Sequence, residues 1–186
     1  MAYNKDKCIA WIDTELTGID IERDTILEVA CIITDEELKV ISEEFNVAIN
    51  QSDAILTSMN EWCTHHHNMT GLISDCQSSK LTLKEAEQML LDFLKKYISK
   101  GTCPLAGNTI YMDRIFLMKH MPSVNDYLHY RIIDVSSLKE LVRRWNPVIY
   151  NSTPKKECVH RALPDIKESI QELKYYKENI FLSGVP

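Results

Sequence analysis

The sequence predicts an α/β protein built around a mixed β-sheet, with a single domain over residues 1–186. Two observations predict this class. The first third of the chain contains short runs rich in β-branched residues, separated by polar turns, as strands are. From residue 82 onward, segments with helical spacing of apolar residues alternate with short apolar runs. A chain of 186 residues requires no second domain.

Three strands are predicted at the start of the chain, over residues 8–12, 25–34 and 38–49. The first is a short apolar run that stops at Asp13, and the second is rich in β-branched residues. The third alternates between apolar and polar residues. Because short polar turns join these segments, an antiparallel meander is the expected arrangement.

The later elements begin and end at residues that are typical of helix boundaries. Thr82 and Glu85 form a capping box, which predicts a helix that ends at residue 98, before Gly101. Pro164 suits the first turn of the last helix. The remaining predicted elements are strands at 103–107 and 130–134, helices at 111–121, 135–145 and 164–181, and a polar loop at 146–160.

The composition excludes several classes of protein. Hydrophobic residues make up 45% of the chain, as in an ordinary globular core, yet no apolar run reaches the roughly 18 residues of a membrane span. No signal-peptide core follows the first residues, so we expect a cytoplasmic protein without a membrane partner. The formal net charge of -6 disfavours a protein that binds long nucleic acids through their phosphates. The six cysteines include no Cys-x-x-Cys pair and are expected to be reduced.

Asp13 and Glu15 are the first candidates for chemistry. Residues two apart on a strand face the same side of the sheet, so both carboxylates can approach one cation. The same spacing recurs elsewhere, for example at Asp20 and Glu22, so spacing alone carries little information. The apolar strand before Asp13 distinguishes this pair, because ligand sites in α/β sheets lie at strand ends.

Asp113, His160 and Asp165 each have an ordinary structural interpretation when they are considered alone. An acid in the first turn of a helix is stabilised by the helix dipole without any function, and this applies to both aspartates. His160 precedes the last predicted helix, where a hydrogen-bonded surface histidine is more common than a catalytic one.

Two further clusters invite a functional interpretation. The first contains cysteines and histidines, namely Cys63, His65, His66, His67 and Cys76. A zinc site is disfavoured there, because consecutive histidines cannot all face one metal and the spacing matches no common zinc finger. The second is the pair Lys155 and Lys156, which is typical of a solvated loop. Its place just before His160 leaves a phosphate contact open.

Four segments occur together in a recognisable order. They are Trp-Ile-Asp-Thr-Glu-Leu-Thr-Gly at 11–18, Leu-Ala-Gly-Asn with Asp-Arg and Phe-Leu within 105–117, His-Tyr-Arg-Ile-Ile-Asp-Val-Ser at 129–136, and His-Arg-Ala-Leu with Asp-Ile and Glu-Ser within 160–169. Together they resemble the oligoribonuclease family, part of the exonuclease superfamily named for four acids and a histidine. The similarity extends from Trp11 to about Phe181. It implies a ribonuclease-H-like fold, with helices flanking a central mixed sheet.

The resemblance also implies an activity and its residues. The expected enzyme is a 3′-to-5′ exoribonuclease that degrades very short RNA to nucleoside 5′-monophosphates with two divalent ions, Mg²⁺ or Mn²⁺. By motif position, His160 matches the general base. The positions that match metal-binding acids are Asp13, Glu15, Asp113 and Asp165. The positions that match substrate contacts are Ile19, Trp62, His67, Tyr130, Arg131 and Ser136.

Three residues depart from the family pattern. Ile19 replaces a leucine that wedges beside the bases, and Leu16 replaces a methionine, so both positions stay apolar. Pro164 is unusual before the last acid, although a first-turn proline should not displace Asp165. The implied partners are single-stranded RNA of two to five nucleotides and a second copy of the chain, in which Tyr130 reaches the neighbouring site.

Two other functions stay open at the level of sequence. A related exonuclease of the same superfamily could act on the ends of DNA or tRNA. A protein of a different class could keep the nuclease fold and only bind RNA ends without cleaving them. Such modules usually lack one of the acids or the histidine, and here all five are present.

Overall fold

A computed structural model describes residues 3–155 and 160–181 of the chain. The strands are β1 (Ile9–Leu16), β2 (Ile26–Thr34), β3 (Phe45–Ala48), β4 (Leu105–Gly107) and β5 (Ile132–Asp134). The helices are α1 (Asp53–Thr57), α2 (Glu61–Met69), α3 (Leu72–Ser78), α4 (Leu83–Tyr97), α5 (Tyr111–His120), α6 (Pro122–Asn125), α7 (Val135–Trp145), α8 (Pro147–Asn151) and α9 (Ala162–Tyr176). Within these ranges, none of the helices is long and apolar enough to cross a membrane.

The five strands form one mixed sheet in the order β3-β2-β1-β4-β5. The first three pair antiparallel, as the predicted meander requires, and β4 and β5 continue the sheet in parallel. The central strand β1 pairs with β2 along its whole length, but it pairs with the three-residue β4 only at Ala10 and Trp11. The second half of β1 is therefore open along the β4 side.

Helices cover both faces of the sheet. Ala10 and Ile12 of β1 belong to a core cluster with residues of α4, α5 and α6, whereas Trp11 belongs to a second cluster with residues of α7 and α9. Side chains alternate across a strand, so Asp13 and Glu15 face the same side as Trp11. That side is the one against which α9 packs. The predicted α/β class and the central mixed sheet flanked by helices are confirmed.

The early strands differ from the prediction at their ends. The first strand does not stop at Asp13 but continues to Leu16, so both candidate acids lie inside β1. The third strand is only four residues long, where residues 38–49 were predicted. Leu38 has a backbone φ of 65° in a turn, and Val40 makes one isolated bridge to Thr34. The extended pattern is therefore interrupted before Phe45.

The later elements agree more closely with the prediction. The capping box of Thr82 and Glu85 forms as expected, and Gly101 adopts a left-handed φ of 75° after α4. The predicted loop at 146–160 contains the short α8, and its residues 156–159 lie outside the described part of the chain. The last helix begins at Ala162, two residues before Pro164, and ends in a π-helical turn at Lys177–Phe181.

Candidate active site

Three carboxylates from two elements converge on the open half of β1. Asp13 and Glu15 project from the strand, and Asp165 projects from the first turn of α9. One oxygen from each of the three lies within 4.8 Å of the others. This is the only such group of potential metal ligands within residues 3–155 and 160–181. Hard oxygen donors at this separation suit a divalent cation such as Mg²⁺ or Mn²⁺.

Asp113 joins this group from the other face of the sheet. It is buried in the first turn of α5, and its Oδ1 accepts hydrogen bonds from Thr14 N at 2.9 Å and Thr14 Oγ1 at 2.7 Å. The strand β4 has already ended at this level, so the Thr14 N–H has no neighbouring strand on that side. Asp113 therefore takes a place that a longer β4 would occupy.

The four acids disfavour one another's ionised forms. Burial raises the pKa of Asp13 well above its ordinary value, and Asp113 is the charged neighbour that adds most to this rise. Burial and the nearby Asp165 raise the pKa of Glu15 to about 8. Burial also raises the pKa of Asp113 to about 7, although the hydrogen bonds from Thr14 oppose the rise. Such mutual repulsion is relieved when a cation binds, so the site fits a metal.

His160 lies beside two aromatic side chains of α2. Its ring meets the Trp62 ring edge-on at a centroid distance of 5.4 Å and the His66 ring at 5.0 Å. His66 stacks on Trp62 at 4.0 Å, and its Nδ1–H donates to the Trp62 carbonyl oxygen at 2.8 Å. The predicted base and a predicted RNA contact are thus neighbours, and His66 contacts both rings.

His67 is buried in this structure, unlike the other residues predicted to contact RNA. Its ring is 1% exposed, and its Nε2–H donates to the Leu16 carbonyl oxygen at 2.9 Å. Its Nδ1 is 3.9 Å from Glu15 Oε2 and finds no hydrogen-bond partner in the described part of the chain. The ring is therefore buried in this structure, and the substrate contact of His67 stays a prediction. The ring lies behind Glu15.

Ser136 lies in a polar group at the end of β5. Its Oγ accepts a hydrogen bond from Thr109 N at 3.0 Å and lies 3.2 Å from Thr109 Oγ1. Asp134 Oδ1 accepts from both backbone N–H groups, at 3.1 Å for Thr109 and 2.9 Å for Ser136. Thr109 has a left-handed φ of 55°, which no sequence pattern predicts for a threonine. Thr109 therefore belongs to the same hydrogen-bonded group as the predicted RNA contact Ser136.

The other predicted RNA contacts are exposed. The Arg131 guanidinium lies 5.5 Å from the centre of the Tyr130 ring, which is 74% exposed. Trp62 is 54% exposed and Ile19 is 75% exposed. Large apolar side chains that are kept this exposed are available for contact with a ligand.

A rigid turn carries Ile19. The Asp24 carboxylate accepts from Thr17 Oγ1 at 2.9 Å and from Asp20 N at 2.8 Å, and it closes the turn. A Cβ added to Gly18 would lie 2.4 Å from Asp24 Oδ2, so a larger residue there would displace the carboxylate that closes the turn. Ile19 is therefore held outward by its neighbours.

The cysteine and histidine cluster does not form a zinc site. Cys63 and Cys76 are buried in an apolar cluster with Leu27 and Leu72, and His66 and His67 point to different partners. The five cysteines in the described ranges are free thiols. In the lysine pair near His160, Lys155 is exposed and Lys156 lies outside the described residues.

Comparison with known proteins gives consistent results. A family model described as Exonuclease matches residues 10–173. A probable oligoribonuclease from Drosophila melanogaster is 56% identical over 176 residues, which are 95% of this chain and 83% of that protein. The mitochondrial oligoribonuclease of Homo sapiens is 50% identical over 173 residues, 93% of this chain and 73% of that protein. An oligoribonuclease from Haemophilus influenzae strain PittGG is 49% identical over 179 residues, 96% of this chain and 97% of that protein.

Solved structures share the fold. Exonuclease I from Methylocaldum szegediense matches with a TM-score of 0.71 and 18% identity, over 94% of this chain and 41% of that one. E. coli exonuclease I in complex with a dT13 oligonucleotide matches with a TM-score of 0.71 and 14% identity, over 92% of this chain and 41% of that one. The chain thus spans about two fifths of each of these two solved chains. From the family model and the similarity to the curated relatives, the chain belongs to the exonuclease family and, within it, to the oligoribonucleases.

Proposed function

We propose that this protein removes nucleotides from the 3′ end of very short RNA and releases nucleoside 5′-monophosphates. The observation that carries the proposal is the convergence of Asp13, Glu15 and Asp165 on the open half of β1. The exonuclease family membership makes the protein a nuclease hydrolase, and its curated relatives at 49–56% identity are named oligoribonucleases. We take residues 1–186 as one exonuclease domain.

The acidic group is proposed to hold two divalent ions, Mg²⁺ or Mn²⁺, through Asp13, Glu15, Asp113 and Asp165. Its oxygens, burial and raised carboxyl pKa values support this assignment. A pair of such cations, when bound, stabilises charge on the attacking and leaving oxygens during phosphodiester hydrolysis. The exonuclease family normally uses divalent metals, and the acids of this chain suit that requirement.

His160 is proposed to accept the proton of the attacking water. Imidazole is the side chain best suited to proton transfer at neutral pH. The ring is partly exposed beside Trp62 and His66, so water can reach it. The His66 ring contacts the His160 ring from the side.

The substrate is proposed to be single-stranded RNA of two to five nucleotides. Trp62 and Ile19 present exposed apolar surface against which bases can pack, and each stacked base contributes roughly 1–3 kcal/mol. Arg131 and Ser136, with Thr109 beside it, supply donors for a terminal 5′-phosphate. The net charge of -6 leaves little basic surface for longer RNA, so affinity depends on these local contacts.

The functional unit is proposed to be a homodimer in which Tyr130 reaches the site of the neighbouring subunit. Tyr130 is exposed, as are Trp145, Val148 and Phe181 on other parts of the surface. Aromatic residues are enriched in the interfaces of protein dimers. The cytoplasmic location stays a prediction, since the relatives include a mitochondrial enzyme as well as bacterial ones.

The alternative functions have less support. A related exonuclease acting on DNA or tRNA ends is not favoured, because the curated relatives described above are oligoribonucleases. An inactive module that binds RNA ends would be expected to lack a catalytic residue, whereas this chain keeps four acids and the histidine.

The experiment that tests the proposed function is digestion of end-labelled RNAs of two to ten nucleotides, with Mg²⁺, with Mn²⁺ and with EDTA. We expect metal-dependent release of nucleoside 5′-monophosphates, fastest from RNAs of two to four nucleotides. Asp13→Ala is the matched inactive variant, because it removes one metal ligand and should lower kcat more than tenfold, at least ~1.4 kcal/mol. Binding without cleavage would identify an RNA-end-binding module, and equal rates on all lengths would identify a general exonuclease.

A further inference from the structure

Glu28 carries a carboxylate in the protein interior that the proposed reaction does not use. It lies on β2 directly opposite Glu15 of β1, and its side chain is 0% exposed. Arg161 donates to it from Nε at 3.1 and 3.2 Å and from Nη2 at 2.7 Å. Ala162 N donates at 3.0 Å and Asn46 Nδ2 at 3.2 Å. A buried carboxylate with this many donors is held in a single orientation.

Arg161 connects Glu28 to two further elements. Its Nη1 donates to the Thr70 carbonyl oxygen at 3.1 Å, just after α2, and its Nη2 lies 2.9 Å from Asp75 Oδ2 on α3. The planar guanidinium thus has acceptors on three sides, a pattern that a lysine ammonium on a flexible stem does not reproduce. The pair therefore ties β2 to the region between α2 and α3.

The same pair fixes the beginning of α9. Arg161 is the N-cap residue of this helix, but its side chain makes no capping hydrogen bond. Glu28 supplies the acceptor instead, through the Ala162 N–H, and places a negative charge at the positive end of the helix. The first turn that Glu28 holds also contains Asp165.

His160 immediately precedes Arg161 and has a left-handed backbone φ of 55°. A non-glycine residue keeps such a conformation only where its surroundings hold it. The side chain of His160 contacts the rings of Trp62 and His66. The residue that follows, Arg161, is held by Glu28. Residues 156–159, which precede His160, lie outside the described part of the chain. Among the described residues, Arg161 is therefore the chain neighbour whose hydrogen bonds hold His160 in place.

We propose that Glu28 and Arg161 are positioning residues that hold His160 against the acidic site. The inference rests on the proposed function, in which His160 is the general base. The strand that carries Glu28 pairs with the strand that carries Asp13 and Glu15, so the ion pair connects the chain segment of His160 to the strand of two of the acids. A displacement of about 1 Å in a catalytic group can cost 10²-fold in rate. Weakening the pair should therefore lower kcat and leave KM nearly unchanged.

The test is a double-mutant cycle with Arg161→Lys and His160→Ala. In the wild-type background, Arg161→Lys should lower kcat by about 10- to 100-fold on a two-nucleotide RNA, with KM and Mn²⁺ affinity within threefold. In the His160→Ala background, the same substitution should cost less than threefold, because the pair acts through the base that is already missing. A general loss of fold would lower both backgrounds equally.

Two further variants complete the design. Glu28→Asp keeps the charge and shortens the side chain by one methylene, so it weakens the pair with Arg161 and should show the same dependence on His160. It decides the question if Arg161→Lys does not fold. Glu44→Gln is the matched control, since it breaks an exposed ion pair of 2.8 Å to Lys167 on the same helix and should leave kcat unchanged.

Equal losses in the two backgrounds, or an unchanged kcat for Arg161→Lys, would overturn the inference. Thermal unfolding of each variant shows whether its fold is retained. A wild-type protein that releases no mononucleotides from short RNA would refute the proposed function itself. Additive losses in an active enzyme would refute only the positioning role.

Discussion

The metal-free protein should lose stability as the pH rises, because four acids share one site. Burial and neighbouring carboxylates raise the pKa of Glu15 from 4.5 to about 8 and that of Asp113 from 3.8 to about 7. A raised pKa in the folded state means that the folded protein holds the proton more tightly than the unfolded chain does. The stabilisation is therefore complete below about pH 4.5 and is lost progressively until the pH passes about 8.

The magnitude follows from the pKa of Glu15. A rise from 4.5 to about 8 corresponds to roughly 5 kcal/mol, at about 1.4 kcal/mol for each pH unit. The side chain is 13% exposed, so solvent screens it little. Because the acids repel one another, their contributions overlap and do not add. We expect the metal-free protein to lose about 3–5 kcal/mol of unfolding free energy between pH 5 and pH 8.

Urea unfolding in EDTA, followed by circular dichroism from pH 5 to pH 8, measures this loss. Asp13→Asn replaces one of the four carboxyl groups with a neutral amide of similar size. It should recover about 1–3 kcal/mol of unfolding free energy at pH 8. Asp92→Asn is the control, since this exposed carboxylate pairs with Lys95 and its pKa is lowered. Adding Mn²⁺ at pH 8 should stabilise the wild type more than Asp13→Asn. A metal-free wild type that gains stability from pH 5 to pH 8 would refute the reasoning.

Three other predictions concern activity. His160→Ala should lower kcat by about 10²–10⁴-fold while calorimetry shows unchanged Mn²⁺ affinity. An equal loss of metal affinity would make His160 a ligand. Arg131→Ala should remove most of the preference for 5′-phosphorylated short RNA over ten-nucleotide RNA. The expected loss is about 10- to 150-fold in kcat/KM on the short RNA, for a contact of about 1.5–3 kcal/mol. An unchanged ratio of kcat/KM between the two RNAs would place the phosphate elsewhere. Sedimentation at micromolar concentration should show a dimer, and Tyr130→Ala should reduce its activity; a fully active monomer would contradict this.

The sequence predicted the elements whose signals are local. The capping box of Thr82 and Glu85 and the helix at Val135–Trp145 carry their own boundary residues, so both helices lie close to the expected ranges. The end of β1 could not be predicted from the residues around Asp13 alone. It continues to Leu16 because β2 pairs with it along its whole length.

The region between β3 and α4 received no helix prediction. It holds α1, α2 and α3, which are five, nine and seven residues long. Helices of one or two turns repeat their apolar positions too few times for a period to be recognised. Their placement depends on a small core around Leu27, a contact distant in sequence.

In the candidate site, too, features with a local sequence signal were predicted and features that depend on distant contacts were not. The motifs indicated which acids to consider, and the structure places three of them within 4.8 Å of one another. They gave no signal for the burial of His67, which depends on the carbonyl of Leu16, 51 residues earlier in the chain. They also gave no signal for Glu28, because a buried acid on β2 has the same sequence context as an ordinary strand residue.

The early end of β4 makes the backbone of the central strand part of the acidic site. The amide proton of Thr14 is bonded to a carboxylate oxygen of Asp113 instead of to a neighbouring strand. Any change of charge on that carboxylate alters the electric field at this amide. The ¹H–¹⁵N resonance of Thr14 is thus an internal reporter of cation arrival, readable by titration with a diamagnetic ion and without any RNA present.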